Sequence, residues 1–243
     1  MASILSVLAA GVRVLAGLAA LACLVTALAG QCGRWSDRLD LVNHATPLVL
    51  VAALLAGMAW LVLGGRGAAI PLVAGLAAGL CAAQMAPDVL ARLRPKPAAA
   101  GPTVKLIQFN VWHSNPTPDR AADWLLAQDA DVVVLEETNG RGGQIPQRLK
   151  DRYPHRSSCN GHSGCATVIL SRRPLSVAHA FPYVPAAIAE LDTPAGPLMV
   201  VGVHFVRPYP GSEQQAQSRR LSDALSTLAK NRMVLAGDFN ATP

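Results

Sequence analysis

Six polar side chains in this sequence stand directly after apolar runs. Asn110 follows KLIQF, Glu136 and Glu137 follow DVVVL, His204 follows LMVVGV, and Asp238 and Asn240 follow RMVLAG. Short apolar runs of this kind read as strands buried on one or both faces. Each polar group therefore falls at a strand end, where loops gather side chains from distant parts of a chain. Taken singly, each has an ordinary role. Asn110 suits the cap of a turn, a carboxylate at a strand end is commonly solvated, and His204 suits a buried, hydrogen-bonded position. The same design repeated at four strand ends points instead to one site. Carboxylate and amide oxygens are hard ligands suited to Mg²⁺ or Mn²⁺, and no thiolate or histidine pair stands among them to hold a softer metal.

The elements that must position these groups alternate between strand and helix patterns. Val104–Phe109 alternates as a strand does, and DRAADWLLAQ reads as a helix with Ala121, Trp124 and Leu125 on one side. Asp131–Glu136 is a continuous apolar run, as in a strand covered on both faces. GCATVILSRRPL supplies a further strand that stops at Pro174. LSVAHAF, AAIAELD and LMVVGVHF read as three more, with TPAGP turning between the last two. Leu221, Ala224, Leu225 and Leu228 then recur at helical spacing, and RMVLAGDFN closes as a strand. The pattern is that of an α/β domain.

The first hundred residues have a different texture. Of 243 residues, 51% are hydrophobic and only 15% charged, against about a quarter charged in soluble domains. Three runs without charge, Val14–Gly33, Pro47–Gly65 and Gly67–Pro87, each approach the ~20 residues that an α-helix needs to cross hydrocarbon. Ala, Gly and Leu dominate them, which suits close helix packing in lipid. A cleaved leader would account for the first run alone. The expected organisation is a three-helix transmembrane region over residues 1–90, a Pro/Ala linker over 91–102, and a globular domain over 103–243. This places the protein in the cell (inner) membrane as a multi-pass protein, with the lipid bilayer as its partner. The basic residues flanking the third run suit anionic headgroups. A transporter is discounted, because no Asp, Glu, Lys or Arg lies within the runs to serve an ion pathway.

Three spans put the N-terminus and the globular domain on opposite sides. Arg34, Arg38, Arg92, Arg94 and Lys96 share the domain's side, which favours the cytoplasm, whereas a Cys159–Cys165 disulfide would favour an oxidising compartment. CNGHSGC is open to a disulfide, to two free thiols, or to zinc through His162. The net charge of +6 divides as +4 over residues 1–100 and +2 over 101–243, so the domain lacks a strong nucleic-acid footprint. Arg141, Arg148, Lys150, Arg152 and Arg156 form a modest basic run whose plain reading is a solvated helix face.

QFNVW, VVVLEET, CATVILSRRPL, VVGVHFVRP and LAGDFNATP occur in an order that resembles the endonuclease/exonuclease/phosphatase superfamily over residues 103–243. The resemblance implies a four-layer sandwich of two β-sheets flanked by helices, and metal-dependent hydrolysis of phosphodiesters or phosphomonoesters, nucleic acid among them. It makes Glu137 the main metal ligand, with Glu136 in the variable place before it. Asn110 would support the metal or phosphate, and Asp238 would orient or deprotonate the attacking water. Asn240 would hold the phosphate, and His204 would contact the phosphate or the leaving group. Relatives continue past GDFN to a Ser-Asp-His motif that this chain does not carry. The resemblance therefore implies a fragment, weak or inactive as it stands, with its closing strands missing. The alternative is a non-catalytic membrane-anchored binding protein. No protein partner is inferred.

Overall fold

The computed structural model describes residues 2–95, 101–159, 165–176, 184–209, 211–228 and 232–240. The chain divides into two compact units. The first contains helices α1 (Ala2–Gln31), α2 (Asp37–Asp40), α3 (Thr46–Val62) and α4 (Ala69–Leu93). Helices α1, α3 and α4 meet through small residues, with Ala20, Ala56 and Ala74 in one layer and Cys23, Ala53, Ala77 and Ala78 in another. Leu15, Leu18, Leu54, Leu61 and Leu72 are all more than half exposed. A bundle made for water does the reverse, burying its large side chains. Small residues inside let backbones approach, and large apolar residues outside suit hydrocarbon. Ile4–Gln31, Asp37–Val62 and Ala69–Leu93 are each long and apolar enough to cross a membrane.

Two helix limits differ from the sequence reading. α1 begins well before Val14, and α4 runs through Pro87 to Leu93, so Arg92 and Leu93 are helical and not linker. Proline is tolerated inside membrane helices because neighbouring groups satisfy the freed carbonyl. Residues 96–100 of the expected linker lie outside the described residues.

The second unit carries two four-stranded sheets. The first is ordered β1 (Leu106–Asn110), β2 (Val132–Glu136), β4 (Val168–Ser171), β3 (His155–Ser158). The second is ordered β5 (Leu175–Ser176), β6 (Ala186–Leu191), β7 (Leu198–His204), β8 (Arg232–Asp238). Among the described residues, β1/β2 and β7/β8 run parallel and the other pairs antiparallel. Period-two alternation assigns each side chain to a layer. Val132, Val134 and Ile169 meet Ala187, Ala189 and Val200 between the sheets. Val133, Leu135 and Leu170 turn outward against α5 (Pro118–Ala127) and α6 (Gln144–Leu149) through Leu125, Ile145 and Leu149. Ile188, Val201 and Val203 turn outward against Leu221 of α7 (Gly211–Ser226). The layers are helix, sheet, sheet, helix, as the resemblance implied.

Strand β3 was not expected. His-Arg-Ser-Ser is polar and lies at a sheet edge, where one face stays wet and no apolar run forms. Trp124 is not on the buried side of α5. That side is Ala122 and Leu125, while Trp124 is 48% exposed and tilts against Phe109 with ring centroids 5.4 Å apart. Of LSVAHAF, Leu175 and Ser176 form β5, and residues 177–181 lie outside the described set.

Candidate active site

Alternation carries the same faces to the strand ends. On β2, Val132 and Val134 look toward the second sheet, and Glu136 follows them; on β8, Val234 and Ala236 lead to Asp238. On β1, Leu106 leads to Gln108 and Asn110, and on β7 Leu198 and Val200 lead to His204. Parallel register sets Asn110 opposite Glu136 and His204 opposite Asp238. Polar groups from four strands thus gather at one end of the space between the sheets.

Hydrogen bonds join them. Asn110 Nδ2 donates to Glu137 Oε1 at 3.1 Å and to Asp238 Oδ2 at 2.9 Å. Asn110 Oδ1 accepts from the Trp112 backbone N–H at 2.9 Å. Asp238 Oδ1 accepts from the Asn240 N–H at 2.9 Å. Asn240 Nδ2 donates to the Phe205 carbonyl at 2.7 Å and lies 3.3 Å from His204 Nε2. His204 Nε2 is in turn 3.9 Å from Glu137 Oε1. All five expected site residues, Asn110, Glu137, His204, Asp238 and Asn240, fall in this one network. Asn110 enters it as a donor between two carboxylates, and only the second lone pair of its Oδ1 remains for a cation.

The backbone is bent at the same places. Trp112, Glu137 and Asn240 have φ of 58°, 57° and 47°, in the left-handed region that side chains with a Cβ rarely occupy. Each such residue costs on the order of 1–3 kcal/mol and persists where its surroundings hold it. At Glu137 this turn separates two adjacent carboxyl groups. Glu136 stays inside, while Glu137 swings out to the cleft.

Their electrostatics diverge accordingly. Burial pushes Glu136 up to about 7, against a hydrogen bond from Gln108 Nε2 at 2.8 Å, and the nearby Asp238 charge adds to the rise. Its Oε1 has no partner among the described residues. Partial burial also acts to raise Glu137. It is outweighed by the His113 backbone N–H at 3.0 Å, the Asn110 amide, the His113 ring and the His204 charge, and Glu137 falls to about 2. Glu137 is therefore an anion at neutral pH.

The cleft at this network has a volume of about 300 Å³ and is lined by His113, Glu137, Asn139, His204, Arg207 and Asn240 among others. The Glu137 and Asp238 carboxylates, both hydrogen-bonded to one amide nitrogen, supply oxygens of the hard kind that a small divalent cation takes. Among the described residues no three His, Cys, Asp or Glu side chains form a cage. A cation here would take Glu137 and complete its shell with water, as Mg²⁺ does.

Sequence reasoning missed four contributors. His113 and Gln108 touch the two glutamates, and their nearness to Asn110 in the chain was the available signal. Gln214 and Gln217 of α7 brace the rim. Gln214 Nε2 reaches the carbonyls of Val206, Phe239 and Asn240 at 3.1, 2.8 and 3.1 Å, and Gln217 Oε1 accepts from the Val206 N–H. A glutamine on a polar helix face carries no mark of such a role. The basic run behaves largely as a solvated face, with Arg148 paired to Asp119 and Arg152 to Asp129. Cys159 and Cys165 form a disulfide, which removes the alternatives of free thiols and zinc; His162 lies outside the described residues. The bridge adjoins the cleft, because Thr138 N and Oγ1 hold the carbonyl of Ala166 at 2.9 and 2.8 Å.

The sequence profile of the Endonuclease/Exonuclease/phosphatase family matches residues 107–243, more than half of the chain. No curated protein sequence matches it. Among solved structures, TDP2 from C. elegans aligns with 86% of this chain and 67% of its own length, at 14% identity and a TM-score of 0.51, a similarity of fold. D. rerio TDP2 complexed with single-strand DNA product aligns with 58% of this chain and 62% of its own, at 17% identity and TM-score 0.49. Beta toxin from Staphylococcus aureus aligns with 57% and 66%, at 16% identity and TM-score 0.46. The chain spans about two thirds of the length of these proteins or less.

Proposed function

Because the chain belongs to the endonuclease/exonuclease/phosphatase family, we propose that it is a divalent-metal-dependent hydrolase of phosphate esters, tethered to a membrane by its three apolar helices. The observation that supports this most is the single amide of Asn110 shared by Glu137 and Asp238, with His204 and Asn240 alongside. Glu137, with Asn110 beside it, would hold Mg²⁺ or Mn²⁺. When bound, that cation supplies positive charge to the phosphoryl oxygens and lowers the pKa of bound water. Asp238, oriented by Asn110 and by the Asn240 N–H, takes the proton of the attacking water. Asn240 and His204 direct N–H groups at phosphoryl oxygens as negative charge builds on them. Phosphodiesters and phosphomonoesters, including nucleic acid and phospholipid headgroups, carry the group this site addresses.

The test is hydrolysis of bis-p-nitrophenyl phosphate by the full chain in detergent, with Mg²⁺, Mn²⁺ or EDTA, beside Glu137→Gln. Weak turnover that requires the cation and disappears with Glu137→Gln is the expected result. Turnover indifferent to EDTA or to Glu137→Gln sinks the metal reading. A folded protein that binds Mn²⁺ without turnover leaves a binding role.

A further inference from the structure

His113 holds Glu137 twice. Its backbone N–H donates to Glu137 Oε2 at 3.0 Å, and its ring Nδ1 lies 3.0 Å from the same oxygen. The other carboxylate oxygen, Oε1, faces Asn110 Nδ2 and His204 Nε2. One oxygen is thus engaged by protein donors from a single residue, and its twin is the one turned to the amide and imidazole of the proposed catalytic network.

The local backbone is built to keep His113 there. Its carbonyl accepts from the N–H groups of Arg141 and Gly142 at 2.9 and 3.2 Å. A Cβ at Gly140 would come within 2.8 Å of that carbonyl oxygen, and one at Gly142 within 2.5 Å of the Glu137 carbonyl oxygen. Gly140 also sits at φ 52°. The Gly-Arg-Gly-Gly loop therefore closes over the two residues at a distance only glycine permits. Glu137 itself is in the left-handed conformation, so its carboxylate direction is not one that the strand supplies.

We infer that His113 is a positioning residue for the Glu137 carboxylate: its Nδ1–H occupies Oε2 and leaves Oε1, which accepts one hydrogen bond from Asn110, as the oxygen presented to a divalent cation. The inference rests on the reading of Glu137 as the cation's carboxylate. Partners that fix a ligating carboxylate change metal affinity by about 10–100-fold when removed. The His113 backbone N–H survives any substitution, so the ring accounts for the lower end of that range, about tenfold.

The atom at work is Nδ1, and this can be isolated. The amide nitrogen of asparagine reproduces the place of Nδ1, and that of glutamine reproduces the place of Nε2. Mn²⁺ binding to the full chain in detergent, measured by electron paramagnetic resonance, is compared for the parent, Glu137→Gln, His113→Ala, His113→Asn and His113→Gln. Thermal melting confirms the fold of each. The expected result is loss of binding in Glu137→Gln, about tenfold weakening in His113→Ala and His113→Gln, and recovery in His113→Asn. If Glu137→Gln abolishes binding while His113→Ala matches the parent, the role of His113 is overturned and the metal site stands. If His113→Gln recovers binding and His113→Asn does not, the ring acts through Nε2 and the inference fails. Parent-like binding in Glu137→Gln overturns the metal reading and this inference together. Should His113→Ala not fold, the contrast between Asn and Gln decides.

Discussion

Asn110 Nδ2 lies 2.9 Å from Asp238 Oδ2, although 128 residues separate the two in the chain. The same nitrogen lies 3.1 Å from Glu137 Oε1, so one neutral amide keeps two carboxylates at a common distance. Asn110→Ala removes both hydrogen bonds and leaves the carboxylates to repel each other. A hydrogen bond to a charged group contributes about 1.5–3 kcal/mol. Turnover of bis-p-nitrophenyl phosphate at saturating Mg²⁺ should fall about a hundredfold in the folded variant. Unchanged turnover would show that the shared amide is incidental.

Glu136 and Glu137 make opposite contributions to stability with pH. The Glu136 carboxyl rises from its ordinary 4.5 to about 7 in the folded protein. Its stabilising contribution is complete below pH 4.5 and is lost as pH rises through 7, a change of about 3 kcal/mol. Glu137 is lowered to about 2, so its contribution is complete above 4.5 and is lost as pH falls toward 2. Melting temperatures in detergent between pH 4.5 and 8 should decline in the parent and stay flat in Glu136→Gln. Parallel declines would mean that Glu136 is not the group responsible.

Gly237 sits where β8 lies too close to β7 for a side chain. A Cβ at this position would lie 1.9 Å from the Val203 carbonyl oxygen, and φ is 157°. Gly237→Ala must separate the strands just before Asp238, at a cost of about 4 kcal/mol or more. A lower melting temperature together with lost turnover is expected. An alanine variant that melts with the parent would contradict the strand geometry.

Gln214 joins α7 to both loops that carry the rim of the cleft, through three carbonyls from Val206 to Asn240. Gln214→Ala frees them without touching any ionisable group. Turnover should drop about tenfold while the dependence on Mg²⁺ concentration stays in place, since about 1–1.5 kcal/mol of positioning is removed. A shift in the Mg²⁺ requirement instead would give Gln214 a part in holding the cation.

Much of this molecule was legible as pattern. DVVVLE announced a strand covered on both faces, and the apolar runs before residue 90 announced helices for hydrocarbon, because burial and periodicity are properties of neighbouring residues. Asn110, Glu136, Glu137, His204, Asp238 and Asn240 could be named from their places after such runs, and only the family resemblance chose Glu137 over Glu136. β3 could not, because an edge strand needs only one covered face. Gln214 and Gln217 could not either, because their partners are backbone carbonyls that the sequence does not display.

The sequence by itself determined which chemical groups exist and which strand ends carry them, through alternation and the spacing of apolar runs. Tertiary structure decided the rest. It turned Glu137 outward and kept Glu136 inside, although the two are adjacent and identical, because one left-handed residue reverses direction where the strand stops. It closed the Cys159–Cys165 bridge and brought His113 onto Glu137 Oε2. The last of these depends on the distance between two segments 24 residues apart in the chain. Such distances are set by how two sheets and their helices pack, and residue order along one strand does not contain them.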